Sequence, residues 1–321
     1  ASASRADALT LTLVSSAARR AALPALYRAV FLRDAHHVAL FAAPFTSTRR
    51  TPRLRARPPV RALALCVSAR LPSLERALAS VAAAGAFTHL TALALTAPLL
   101  AAHAHWLRVH SITPHTLMIF HHGLPQPLDF RAPFLAHVHT LYTPELSGFR
   151  RSSPADLPAL RRIALCARAH QPPGAPAALA VQIAALLAAC PALEILVLAL
   201  HTRPHREQYD AAPWRAALAS LTTSDPRLRI VPFARPARLE WRAAIADDSA
   251  VRSDVFADAD ALAQDPGELR VRADAVAREA ETFKAWPPAR EWDLDVHAAP
   301  GYVHGKTGVD YPGTPAPATW L

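Results

Sequence analysis

A chain of 321 residues is too long for one small domain and suits a repeat array or two modest domains. Apolar residues make up 52% of it, but many are Ala, so a packed core must come from Leu, Val, Ile, Phe and Trp. The formal charge of +10 is almost all Arg; with abundant Ala and Pro and no Asn, it reads as GC-rich coding and is discounted as a sign of nucleic acid.

The charge is also divided. Residues 1–239 hold 27 basic and 10 acidic side chains, a net of +17, and residues 240–321 hold 8 and 15, a net of −7. Such a split fits a basic binding surface or an acidic segment folded back on a basic body, and the sequence leaves both open. Cys66, Cys166 and Cys190 have spacing for neither a zinc site nor a disulfide framework. The start carries no secretory pattern, so the expectation is a reducing compartment, cytoplasmic or nuclear.

In chain order, residues 1–47 come first, with a helical pattern from Leu9 to Leu40 broken at Pro24. Residues 48–59 are rich in Arg and Pro and read as a linker. Arg49, Arg50, Arg53, Arg55, Arg57 and Arg61 form the densest basic stretch, with no interleaved aromatics for base stacking, which disfavours RNA.

Residues 60–235 carry a repeat. Val60 to Leu65, Leu90 to Leu95, Leu160 to Leu165 and Leu193 to Leu198 all place apolar residues first, fourth and sixth, the L-x-x-L-x-L register. The last part alternates as a half-buried strand does. Between strands lie helical spacings: Leu74, Leu78 and Val81 after Pro72; Leu179, Ile183 and Leu186 after Pro176; Trp214, Leu218 and Leu221 after Pro213. Gly85 and Asp225-Pro226 mark helix ends. From Leu93 to Ile163 is 70 residues, room for two weaker units with strands near His115–His121 and His137–Thr143. A last strand is expected at Arg227–Phe233. Ala177 to Leu200 is nearly all apolar, but Gln182, Pro191 and Glu194 interrupt it, so it reads as helix, turn and strand and not as a membrane span.

Residues 236–264 follow as a helical cap, with Trp241, Ile245, Val251, Val255 and Phe256 apolar. Residues 265–321 lack sustained periodicity and are expected to be extended or disordered. Units of this size stack on neighbours because none buries its own apolar face. The fold expectation is an α/β class chain: an irregular, right-handed, leucine-rich-repeat-type solenoid, a parallel sheet with helices outside. A doubly wound α/β domain is the competitor; no Gly-rich loop follows any strand, and the L-x-x-L-x-L lead-in is foreign to it.

Leu13-Val14-Ser15, Leu23-Pro24-Ala25-Leu26-Tyr27-Arg28 and Val30-Phe31-Leu32 resemble the second half of an F-box and its exit into repeats. The run Cys190 to Leu196 is similar to the repeat lead-in of the F-box-like, leucine-rich-repeat-like families of mushroom-forming fungi. Trp241 with Asp254-Val255-Phe256 and Ala259 is similar to a motif near their carboxyl end. The resemblance spans about residues 9–262; the first half of an F-box is missing, and no Asn ladder exists. It implies a non-catalytic substrate receptor of a cullin-type ubiquitin ligase, with Leu13, Val14, Leu23, Pro24 and Leu26 facing a Skp-type adaptor. The bland alternative makes these five the core of a helical cap. A stand-alone scaffold without adaptor binding is the second reading, and a basic nucleic-acid binder the third.

No catalytic, cofactor or metal site is expected. Gly305-Lys306-Thr307 lacks the spacing of a phosphate loop. Sixteen His residues include clusters at His36–His37, at His103, His105 and His110, and at His121–His122, none with zinc spacing. His115, His121, His137 and His139 flank two neighbouring strands and are the one exception worth placing. The run Asp247-Asp248, Asp254, Asp258 and Asp260 lacks the Gly and Glu of a calcium loop and reads as a solvated helix face. A partner is expected on the concave strand face, lined by Ala64, Ala94, Ala164 and Val197 with Arg61, Arg161 and Arg162 at its edge. A small apolar face flanked by positive charge suits an acidic or amphipathic partner.

Overall fold

The computed structural model describes residues 17–18, 22, 27–32, 34–46, 60–66, 72–120, 129–144, 146, 153–168, 175–201, 212–231, 240–241 and 254–265. Eight strands form one all-parallel sheet in chain order. They are β1 (Ala29–Leu32), β2 (Ala62–Leu65), β3 (Ala92–Thr96), β4 (Thr116–Phe120), β5 (Thr140–Thr143), β6 (Arg162–Arg168), β7 (Ile195–His201) and β8 (Leu228–Val231). The order never reverses, so the sheet has no topological switch point and the doubly wound alternative falls.

The register explains the repeat. Leu63, Leu93, Leu117, Leu141, Ile163, Leu196 and Leu228 pair in succession, one apolar ladder through seven strands. All seven are buried, as the fourth place of the L-x-x-L-x-L unit requires. Between Leu93 and Ile163 the ladder passes through Leu117 and Leu141, so the 70-residue gap holds two units, as expected. Spacing varies with the connection. From Arg162 to Ile195 is 33 residues and includes a full helix; from Thr140 to Arg162 is 22, and its described residues include a 3-10 turn at Pro154–Asp156.

The helices are α1 (Ala35–Thr46), α2 (Pro72–Ala83), α3 (Ala97–Val109), α4 (Ala175–Ala189), α5 (Ala212–Ser224) and α6 (Val255–Gln264). Leu74, Leu78 and Val81 of α2, Ile183 and Leu186 of α4 and Leu218 of α5 are buried beside the Leu ladder. Helix α3 follows β3 without a loop: Thr96 ends the strand and its hydroxyl accepts the Leu99 N–H at 3.3 Å. After α2 the chain reverses at Gly85, with φ +77°, and Ala86 N–H returns to the Val81 carbonyl. After α3 the same turn is made by Ser111, with φ 53°.

One expectation changes, and one open alternative gains an observation. The helical pattern expected to continue through Leu40 is interrupted by strand β1, because Val30 and Leu32 are worth more in the sheet, paired with Leu63 and Leu65, than on a helix. Of the acidic end, the described helix α6 packs against β7 and β8 on the face of the sheet opposite the Leu ladder. Ile245 and Val251 lie outside the described residues. Ala177 to Leu200 divides into the end of α4, a turn and β7, and among the described residues no helix is long and apolar enough to cross a membrane.

Candidate functional site

The side chains of alternate strand residues meet opposite faces, so the L-x-x-L-x-L unit fixes where each expected site residue falls. Ala64, Ala94, Ala164 and Val197 do point away from the Leu ladder, but all four are fully buried. They line no open surface, which corrects the expectation of a bare concave face. The reason is partly visible: Trp241, Val255, Phe256 and Ala259 join the same apolar cluster. The Phe256 ring stands 5.5 Å from that of Tyr142, and the Arg162 guanidinium sits 4.3 Å over the Phe256 ring. Arg162 is therefore engaged on the covered face.

Beneath α6 lies a buried polar group. Glu240 and Asp258 are buried carboxylates, which corrects the reading of Asp258 as part of a solvated face. The cost of burying Glu240 is offset at the helix start, where the Val255 N–H donates to Glu240 Oε1 at 2.8 Å; beside it the Ala257 N–H donates to the capping Asp254 Oδ1 at 2.8 Å. Burial pushes the Cys166 thiol up to about 12, with the Glu240 charge adding to it. Burial, then the charges of Glu240 and Asp254, hold the Tyr142 phenol well above its usual range. Such a thiol ionises little at neutral pH, and the Glu240 carboxylate fastens the start of α6.

The exposed site lies along the edge where the strands begin. The second residue of each unit precedes its strand and continues the ladder through the main chain. Thr91 N–H donates to the Arg61 carbonyl, His115 to Thr91, His139 to His115 and Arg161 to His139, each at 2.8 Å, and Glu194 to Arg161 at 2.7 Å. Arg61, Thr91, His115, His139, Arg161 and Glu194 thus form one exposed row across six strands. Arg28 extends it beyond Arg61. The His115 and His139 rings lie 5.2 Å apart, tilted by 50° to one another. Arg161 Nη1 donates to the Ala192 carbonyl at 3.2 Å, which holds the guanidinium in place while leaving other donors outward. Neither Arg61 nor Arg161 has a carboxylate partner among the described residues.

Of the expected partner residues, the structure brings Arg61 and Arg161 into this row, turns Arg162 to the covered face and buries Ala94 and Val197. The adaptor residues Leu13, Val14, Leu23, Pro24 and Leu26 lie outside the described residues, as do Arg49 to Arg57, His121, Gly305, Lys306 and Thr307. His137 is exposed, and His37 is paired with Asp34 at 2.8 Å. Among the described residues no group of three or more His, Cys, Asp or Glu is placed to hold a metal ion. Reading single segments missed the row. Aligning the four clear repeats on their first apolar residue puts Arg61, Thr91, Arg161 and Glu194 in one column; Pro114 and Val138 in the first place hid His115 and His139.

No family model matches the chain, and no curated protein or solved structure is significantly similar to it.

Proposed function

We propose that this chain is a non-catalytic protein-interaction module: a leucine-rich-repeat-like solenoid serving as substrate receptor of a cullin-type ubiquitin ligase. The F-box-like stretch, with Leu13, Val14, Leu23, Pro24 and Leu26, docks on a Skp-type adaptor, and the solenoid holds the target. The chemistry is done by other subunits.

The observation that carries this reading is the sheet order. Strands that follow one another from β1 to β8, each paired only with its chain neighbours, are the layout of a stacked-repeat scaffold, and such scaffolds present extended recognition surfaces. One face of the sheet is taken by helices, and on the other α6 packs over β7 and β8. Among the described residues, the exposed row along the strand starts, with Arg61 and Arg161, is a surface that could receive a partner.

The test is co-purification of the full chain with a Skp-type adaptor, beside a Leu23→Asp, Leu26→Asp double variant. Stoichiometric binding by the natural chain, lost in the variant, supports the receptor reading. No binding by the folded natural chain overturns it and leaves a stand-alone scaffold.

A further inference from the structure

We infer that the row from Arg61 to Arg161 is a docking strip for a short, extended, acidic polypeptide segment. This deepens the proposed target-holding role and rests on it. The geometry argues first. Adjacent members sit on adjacent parallel strands, about 4.8 Å apart, so Arg61 and Arg161, four strands apart, are separated by roughly 19 Å. That is too far for both guanidiniums to grip one small anion. An extended chain rises about 3.3 Å per residue, so the span matches roughly six residues of a partner strand. Carboxylates near its two ends would meet Arg61 and Arg161, and its middle would lie over the adjacent His115 and His139 rings.

The chemistry argues second. A guanidinium accepts carboxylates in a two-pronged geometry, and the bond from Arg161 to the Ala192 carbonyl fixes one such fork before any ligand arrives. Thr91, between Arg61 and His115, spends its hydroxyl on the Arg61 carbonyl at 3.2 Å and so presents a flat, uncharged step. The row ends at Glu194, whose negative charge repels an anion running past Arg161. A strip closed this way selects a short acidic run.

The same features disfavour nucleic acid. Tight, salt-sensitive binding to a phosphate backbone draws on about six to ten phosphate contacts, and this strip offers two permanent cations. The large exposed apolar side chains among the described residues are Leu40, Val109 and Val181, none of them an aromatic on which a base would stack.

The experiment uses the full chain and three fluorescein-labelled probes of one length: an octapeptide of alternating Glu and Ser, the same peptide with Gln for Glu, and an eight-nucleotide oligothymidylate. Anisotropy is read at low salt and at physiological salt. The expected result is binding of the Glu peptide alone, weakened by salt. Arg61→Glu and Arg161→Glu each lose about tenfold, the scale of a charged hydrogen bond. Arg108→Glu, exposed but outside the row, loses nothing comparable. All three positions are exposed, and a matching thermal transition checks that each variant folds. Equal binding of the Gln peptide, stronger binding of the oligonucleotide, or indifference to both row variants would overturn the inference. Adaptor co-purification separates the two readings. A chain that binds adaptor but no Glu peptide defeats the docking strip alone, and one that binds the Glu peptide but no adaptor defeats the ligase role alone.

Discussion

The two faces of the sheet are built from the same strands but follow different rules. Toward the helices every strand offers a branched aliphatic residue in the same register, from Val30 through Leu63, Leu93, Leu117, Leu141, Ile163 and Leu196 to Leu228. On the opposite face β2 and β3 offer the small side chains of Ala62, Ala64, Ala92 and Ala94, while later strands offer Met118, Tyr142, Arg162 and Val197. The first face is what makes the units stack. Burying a Leu contributes about 1.5–3 kcal/mol, and an Ala methyl far less. Stability is therefore concentrated toward the helices, and the other face is free to vary and to receive α6.

The largest effect should come from breaking that asymmetry within one strand. Leu196 and Val197 are neighbours in β7, both fully buried, on opposite faces. Leu196→Ala should cost about 2–5 kcal/mol, because it removes a ladder residue and leaves a cavity. Val197→Ala removes two carbons, about 1.6 kcal/mol by area. Urea unfolding of both variants measures the difference. Equal losses would show that the faces carry equal weight.

Next in size is Arg227, which ties successive units together on the helix side. Its guanidinium donates to the Cys190 and Leu187 carbonyls at 3.0 and 3.1 Å, closing the end of α4, and pairs with Asp225 at 2.6 Å. Arg227→Ala should cost about 1.5–3 kcal/mol, since those carbonyls lose a charged donor. Hydrogen bonds from the Arg227 guanidinium hold the Asp225 carboxyl below its usual range. A depressed carboxyl stabilises the fold above its unfolded pKa, so this contribution is present at neutral pH and fades as pH falls below about 4. The variant should show a shallower acid loss. On the second face, Asp254→Ala removes the cap of α6 and should cost about 1 kcal/mol. Hydrogen exchange should place that loss in α6, with β2 to β4 unchanged.

The helix-facing half of the fold was legible in the sequence because a Leu ladder must repeat. Four strands follow from the L-x-x-L-x-L register, two more from the 70-residue gap between its units, β8 from the apolar run at Arg227–Phe233, and three helices from Leu74, Ile183 and Leu218 at helical spacing. Strand β1 was not, since Val30-Phe31-Leu32 is too short to show a period without its partner β2. The cover was not legible either. Ala64 and Val197 look outward in the pattern, and nothing in their own segments encodes a helix that begins 58 or more residues downstream. The candidate row was half legible. Arg61 and Arg161 stand in clear repeats, but His115 and His139 join them only once strand register is known.

The smallest effect at neutral pH, and the clearest mark of the covered face, should come from Tyr142. Its phenol is held well above the ordinary value of 10.0 by burial and by the charges of Glu240 and Asp254. In the unfolded chain that phenol ionises near 10, so above this pH the unfolded state gives up a proton that the folded state keeps. Stability is then intact below about pH 10 and lost as pH rises beyond it. Cys166 acts in the same direction from a lower start, since its thiol is raised from 9.0 to about 12. The natural chain should therefore weaken from about pH 9 upward, more steeply above 10. Tyr142→Phe removes only a hydroxyl and should leave the neutral-pH urea midpoint nearly unchanged, while flattening the fall above pH 10. Cys166→Ala should flatten the part that begins near 9. Tyr27, half-buried and raised by burial alone, leaves a residual slope in both variants. If Tyr142→Phe tracks the natural chain from pH 9 to 11, the phenol ionises freely, and α6 does not seal the second face as the Phe256 and Glu240 contacts require.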